Sequence, residues 1–401
     1  MIEESEKYTI DQYITTAAYK IEDIVEVAPK HQHDLHTFGL SRGALGLSFL
    51  YHAYGLYYGL SEYHKKAKEA FEEACDSIGK KAFPSFYLDI SELGMLADYY
   101  SRKGSLEIDP NEFLEDIDNT LEEKMNEYLA DGDIGGFVNG AISMALYFLR
   151  RYTTNVSKFK PIMQKLVNEL TQQAIETPEG IHWPTKFRED GRVYLTLPHG
   201  SAAVILLLTR LSEIDESFKT QTLPLVKQGI TKILSQEVKD RHFLFADQLD
   251  KPEPSRLALC YGDMGVGYML LRAGQVFDTK AWYQKGIDIL THAIQRKTQE
   301  TNRVEDASIL FGATGLMLIF HKVYRLTNLA IFQEATNYWL ARSVEYGEKQ
   351  ETPYAGFKAA YNPWNAHTNV CFSEGIIGIG IAYMMYIRPH LINIDDFVWL
   401  L

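Results

Sequence analysis

Two kinds of stretch alternate along the chain. Segments such as "EYHKKAKEAFEEACDSIGKKA" and "DTKAWYQKGIDILTHAIQRK" space apolar residues three and four apart with charges between them, the pattern of a helix that buries one stripe. Others are apolar nearly all round: "SRGALGLSFLYHAYG", "DISELGMLADYY", "GGFVNGAISMALYFL", "PHGSAAVILLLTRL", "CYGDMGVGYMLLRAG", "LFGATGLMLIFHKVY" and "SEGIIGIGIAYMMY". Each carries two variable positions ahead of a small residue, then an apolar helical run. Those small residues are Gly46, Gly94, Gly140, Ala203, Gly265, Gly315 and Gly378, with successive gaps of 48, 46, 63, 62, 50 and 63 residues. A period of that size marks a repeat architecture.

A helix apolar on all sides must be buried, whereas an amphipathic one can form an outer layer. The alternation therefore predicts an all-α fold, an α/α toroid of seven inner and seven outer helices, as a single domain over residues 1–401. An open helical solenoid of the same unit is the alternative. Small residues at the start of each inner helix let backbones crowd together, and glycine also permits a positive-φ turn there.

In such an arrangement the residues just before each inner helix face one mouth. They are Arg42 in the first unit, Asp133 in the third, His199 in the fourth, and Cys260 with Tyr261 in the fifth. The sixth unit has Leu310 and Phe311, and the seventh has Ser373 and Glu374 with Cys371 upstream. Taken singly these have plain structural readings: Asp133 as a cap, His199 as a loop histidine beside Pro198, Cys260 as a small core residue. Taken together they suggest chemistry. His199 titrates near neutrality and suits proton transfer. Asp133 either orients that imidazole or acts as a separate acid or base. Arg256 can hold an enolate-like oxygen through its fork, and Tyr261 joins the candidate catalytic set.

Composition narrows the class. With 46% hydrophobic and 23% charged residues the chain is an ordinary globular protein, and a net charge of -13 without a basic stripe argues against nucleic acid. The longest wholly apolar run, "AAVILLL", is too short to span a bilayer, and "MIEESEKYTIDQY" lacks the features of a secretory signal. Three scattered cysteines, Cys75, Cys260 and Cys371, do not make a disulfide framework. The expectation is a cytoplasmic protein with no transmembrane segment.

On these residues the chain resembles the lanthionine cyclase (LanC-like) family over essentially its whole length. "RLALCYG" is similar to the family's Arg and Trp-Cys-Tyr-Gly segment at Arg256, Cys260 and Tyr261, with Leu259 where Trp is usual. "PHGSAAV" resembles its His-Gly-x-x-Gly motif at His199, with Ala203 replacing the second glycine. Asp133 aligns with the family's aspartate by its spacing to Gly140, and "FSEGIIGIG" resembles the closing Glu-Gly-x-x-Gly repeat. The resemblance implies the closed barrel. It also implies addition of a peptide cysteine thiol across dehydroalanine or dehydrobutyrine, making thioether rings in lantibiotics and other ribosomally made peptides.

The family holds zinc through Cys, Cys and His, and the second Cys and the His come from the sixth unit, where this chain has Leu310 and Phe311. Zinc is thus the family cofactor, but none is expected here, because a catalytic zinc usually needs three protein ligands. A substitute site from Cys371 and Glu374 with Cys260 and His199 is one escape; metal-free catalysis by His199 and Arg256 is the other. The candidate catalytic residues are thus His199, Asp133, Arg256 and Tyr261, and the candidate substrate-binding residues Arg42, Cys260, Glu374 and Trp364; Trp364 and His367 either roof the mouth or decorate an outer loop. The expected partner is a precursor peptide containing Cys and dehydroamino acids, with a dehydratase or an exporter beside it. The rival reading is a pseudocyclase that binds the peptide or a partner enzyme without chemistry. A glycosidase of the same barrel class would need paired carboxylates at a set separation, which nothing in the sequence provides.

Overall fold

In the computed structural model, residues 9–80, 83–187, 192–239, 241–249, 251, 253–348 and 351–401 are described. Among the described residues the regular structure is helical except for one antiparallel hairpin, Ile175–Thr177 with Gly180–His182. The repeat pattern did not foresee that hairpin, which is an insertion between two helices. Packing divides the chain into two units, 1–83 with 304–400 and 84–303 with 401.

The first unit contains three helices buried nearly all round, Leu45–Tyr58, Ala313–Thr327 and Ile376–Ile387. Ile10–Val27, Ser61–Asp76 and Ala330–Glu348 pack against them. Ser61–Asp76 shows why the sequence separates the two kinds: it buries only Ala67, Phe71 and Ala74, one stripe at helical spacing. Ile10–Val27 starts with a capping box between Thr9 and Gln12.

The second unit has four apolar helices, Phe86–Arg102, Gly140–Arg151, Ser201–Ile214 and Gly262–Val276. Its four amphipathic ones are Glu115–Ala130, Val156–Gln172, Lys219–Leu234 and Lys280–Ala293. A buried charge network ties the first of these together: Arg151 Nη2 lies 3.3 Å and Lys158 Nζ 2.8 Å from Asp118 Oδ2, and the Tyr147 hydroxyl donates to Asp118 Oδ1. Among the described residues the two units supply seven apolar helices and seven amphipathic partners, as the alternation predicts.

The turn into four of the apolar helices explains their small residues. The N–H just past the first motif glycine reaches back seven residues at Ala44 to the Thr37 carbonyl (3.0 Å), Ser201 to Tyr194 (3.2 Å) and Ala313 to Asp306 (3.0 Å); in the closing repeat Ile377, two past Gly375, makes the same span to Val370 (3.1 Å). Closing so short a loop leaves no room for a side chain. A Cβ at Gly312 would lie 2.3 Å from the Ser308 nitrogen and 2.4 Å from Asp306 Oδ1. Positive φ is the requirement only in places, as at Gly262 (φ +46°); Gly200, Gly312 and Gly375 are extended. The expected positive-φ turn is therefore replaced, at most motifs, by a steric demand. The second repeat also departs from expectation: Ser91 and Gly94 lie inside the helix Phe86–Arg102, where a Cβ on Gly94 would meet the Tyr147 ring at 2.5 Å.

Gly312→Ala is expected to lower unfolding free energy by about 1–3 kcal/mol through overpacking. Asp118→Ala, which takes the nearer carboxylate from buried Arg151 and leaves it Asp98 Oδ1 at 3.6 Å, should cost about 1–3 kcal/mol. Denaturant midpoints measure both, and an unchanged midpoint in either variant contradicts the packing described.

Candidate functional site

Within the second unit, three pre-helix loops are hydrogen-bonded edge to edge. Phe137 N donates to the Leu197 carbonyl (3.0 Å), Val138 N to Pro198 (3.1 Å), and Leu197 N to Cys260 (3.3 Å). Proline has no N–H, so the residue before Pro198 makes the link to Cys260. This ladder brings the loops of Asp133, His199 and Cys260 together, as their equivalent places in the repeat suggest.

His199 is half-buried, and its Nδ1 lies 2.9 Å from Asn139 Oδ1. The Asn139 amide nitrogen donates to Thr185 Oγ1 at 3.1 Å, which sets the amide so that its oxygen faces the imidazole. Nδ1 is then the protonated nitrogen, and the lone pair falls on Nε2. The Phe187 ring stacks on the imidazole with centroids 3.7 Å apart and an angle of 12°, and Tyr194 meets it edge-on at 5.6 Å. Asp133 has a different task from orienting Nδ1: its Oδ1 accepts from the Lys186 N–H at 2.8 Å and so anchors the segment that carries Thr185 and Phe187. Burial raises its carboxyl above the usual range, and the Lys186 N–H and charge offset part of that.

Cys260 is fully buried. Burial first, and then the Asp247 carboxylate, push its thiol well above the ordinary value, so it is held as S–H. Asp247 itself is raised to about 7 by desolvation, aided by Asp263 and opposed by Arg296. Its Oδ1 is buried with no hydrogen-bond partner among the described residues. Asp263 holds this corner: its Oδ1 accepts from Leu244 N (2.9 Å) and Phe245 N (2.8 Å), and its Oδ2 faces Arg296 Nη1 at 3.2 Å. Tyr261 caps the helix Gly262–Val276, and Arg256 lies half-buried on the approach to it.

The first unit repeats the ladder. Leu310 N donates to the Ser373 carbonyl (2.9 Å), and Ser373 N to Ser41 (3.0 Å). Around it Arg42 is exposed, whereas Glu374 is only 3% exposed. Glu374 Oε2 accepts from Asn362 Nδ2 at 2.7 Å, and Oε1 is buried with no partner among the described residues. Burial raises this carboxyl; Asn362 and the Arg42 charge draw it back. Cys371 is fully buried, its Sγ 3.6 Å from Ser373 Oγ, and burial pushes its thiol up to about 11. His367 meets His36 edge-on at 5.1 Å, and burial, then the nearby His36 and Arg42, lower its affinity for a proton. Phe311 is buried with its ring 4.1 Å from that of Tyr361, and Leu310 is half-buried. Neither bears a donor atom. Trp364 stands in solvent, 76% exposed.

Three residues that sequence reasoning passed over shape these clusters: Asn139, Phe187 and Asp247. Asn139 was within reach, since it directly precedes the motif residue Gly140. Phe187 and Asp247 sit in long connections between helices, where no periodicity points inward. For metal chemistry, among the described residues one group brings three His, Cys, Asp or Glu ligand atoms within 4.8 Å of one another, namely His31, His33 and Asp34.

Set beside known proteins, the described chain is similar in structure to a nisin cyclase, with a TM-score of 0.74 at 17% identity, over 96% of this chain and 97% of that one. That likeness shows the fold, the α/α toroid expected from the repeats. An inactive variant of an α-1,6-mannanase from a Salegentibacter species aligns with a TM-score of 0.46 at 13% identity, over 91% of this chain and 99% of that one, too loosely to carry any argument. Comparison with curated protein sequences gives no match. The profile of the lanthionine synthetase C-like proteins matches residues 34–398, and this chain belongs to that family.

Proposed function

We propose that the protein matures ribosomally made peptides by adding Cys thiols to dehydroalanine or dehydrobutyrine, forming thioether rings without the family's Cys-Cys-His zinc. The donor set does not fit that metal: two of its positions are the hydrocarbon side chains Leu310 and Phe311, and Cys260 is a buried, protonated thiol. No step is assigned to it.

The observation that carries the reading is the Thr185–Asn139–His199 chain, which leaves Nε2 as the basic nitrogen on a loop tied to Cys260. In the reaction, Nε2 of His199 takes the proton of the peptide thiol. Sulfur bonds to Cβ of the dehydroamino acid, and the C=C pair moves onto the Cα–carbonyl oxygen as an enolate. Arg256 stabilises that oxygen, with Tyr261 beside it. The imidazolium returns the proton to Cα, so no oxidant or reductant is needed. An unassisted thiol is only about 3% thiolate at pH 7, so forming the thiolate costs roughly 2 kcal/mol. A positioned base lowers that barrier, and general acid–base help typically contributes about 10²–10⁴-fold. Asp133 acts by anchoring the Thr185–Phe187 segment. Arg42, Glu374 and the exposed Trp364 are assigned to the peptide. The protein works in the cytoplasm, a dehydratase supplying its substrate and an exporter taking the product.

A second reading has its own support. Hydrocarbon at two ligand positions and two buried thiols equally suit a pseudocyclase that holds the modified peptide or a partner enzyme.

Incubation with a dehydrated, Cys-containing peptide, followed by mass spectrometry of alkylatable thiols, tests the two. Ring closure faster than in buffer, lowered about 10²–10⁴-fold by His199→Ala with peptide binding retained, is the expected result. Binding without acceleration means a pseudocyclase. Cys260 and Cys371 should resist iodoacetamide in the folded chain and react after denaturation; rapid labelling of folded Cys260 contradicts its inert role.

A further inference from the structure

The turn after the first helix holds a cluster that the thiol chemistry does not use. Residues Ala28–Asp34 form a 3₁₀ turn, in which positions three apart eclipse, so Asp34 lies over His31 while His33 flanks it. His31 Nδ1 is 3.5 Å from Asp34 Oδ2, and His33 Nε2 is 3.6 Å from Asp34 Oδ1. Those separations are at or beyond the limit of a useful hydrogen bond. They lie slightly above the edge of a tetrahedron, about 3.3–3.4 Å, around an ion bonded at about 2.0–2.1 Å, and each imidazole faces a different oxygen of the one carboxylate. All three ligand atoms fall within 4.8 Å of one another.

The cluster is also braced. The Tyr354 ring lies against the His31 imidazole with centroids 4.7 Å apart, and the segment that carries it is fastened to the first helix by Lys20 Nζ donating to the Ala355 carbonyl at 2.9 Å. Side-chain exposures of 21% for His31 and 16% for Asp34, against 72% for His33, describe a shelf that opens to solvent on one side.

We propose that His31, His33 and Asp34 form a site for a divalent late transition-metal ion, Zn²⁺ being the test ion. Two imidazoles and a carboxylate are the ligand class for such ions, and three protein ligands leave a fourth position for water. A small turn of the Asp34 carboxylate brings one oxygen onto the ion between the two rings. The bound ion locks the 3₁₀ turn at the end of the first helix. The site is separate from Leu310, Phe311 and Cys260 in sequence and in its ligand types, and it does not depend on the proposed peptide chemistry.

The experiment is calorimetric titration of chelator-treated full-length protein with zinc chloride alone. One zinc per chain is expected, with affinity falling at least about tenfold in His33→Ala and in Asp34→Asn. Zinc should raise the thermal midpoint of the native chain and leave that of His33→Ala unchanged. His33 is largely exposed, so its variant should fold, which the zinc-free midpoint checks. Absence of zinc uptake overturns the proposal, and so does equal uptake by His33→Ala and the native chain, since the ion would then sit elsewhere.

Discussion

A backbone hydrogen bond spanning seven residues at the entry to an apolar helix is the constraint that shapes four of the pre-helix loops, that of His199 among them. Made at Ala44, Ser201 and Ala313, and one position further on at Ile377, it closes a tight loop before an apolar helix. Because the loop is short, its carbonyls lie where a Cβ would be, and only glycine fits at positions such as Gly312. The same closure presents the residues between its ends in a reproducible orientation. Neighbouring loops then bond to each other, Leu197 to Cys260 in one unit and Leu310 through Ser373 to Ser41 in the other. The links from loop to loop are made of backbone, separate from the side chains at these slots.

That separation of frame from side chain accounts for the combination found here. Leu310 keeps its backbone link to Ser373 although its side chain is hydrocarbon. The neighbouring Phe311 ring packs against that of Tyr361 at 4.1 Å. Burial governs the remaining nucleophiles. Cys260 and Cys371 are both fully enclosed, and desolvation holds both as thiols. His199 is placed otherwise: it is half-buried, oriented through Nδ1 and stacked on one face.

Much of the fold was legible because burial imposes periodicity. The contrast between Ser61–Asp76, buried on one stripe, and Ile376–Ile387, buried all round, is visible in the residue order alone. The reading failed where a position's role depends on distant chain. Ser91 and Gly94 were read as the start of a helix, yet they lie within one, where Gly94 makes room for Tyr147. Asp133 was offered as one residue to orient the imidazole; Asn139 faces Nδ1 there, and the Asp133 carboxylate accepts from Lys186, a residue on a connection without a pattern.

By itself the sequence determined the repeat and the alternation of the two helix types, since these follow from local spacing and from which faces must leave water. Only the tertiary structure decided that Asn139 faces His199, that Asp247 raises the Cys260 thiol further and that His31, His33 and Asp34 converge. Tautomer, thiol ionisation and ligand geometry depend on distances of a few ångströms and on local desolvation. Those quantities arise when separate loops pack together, and no spacing along the chain encodes them directly.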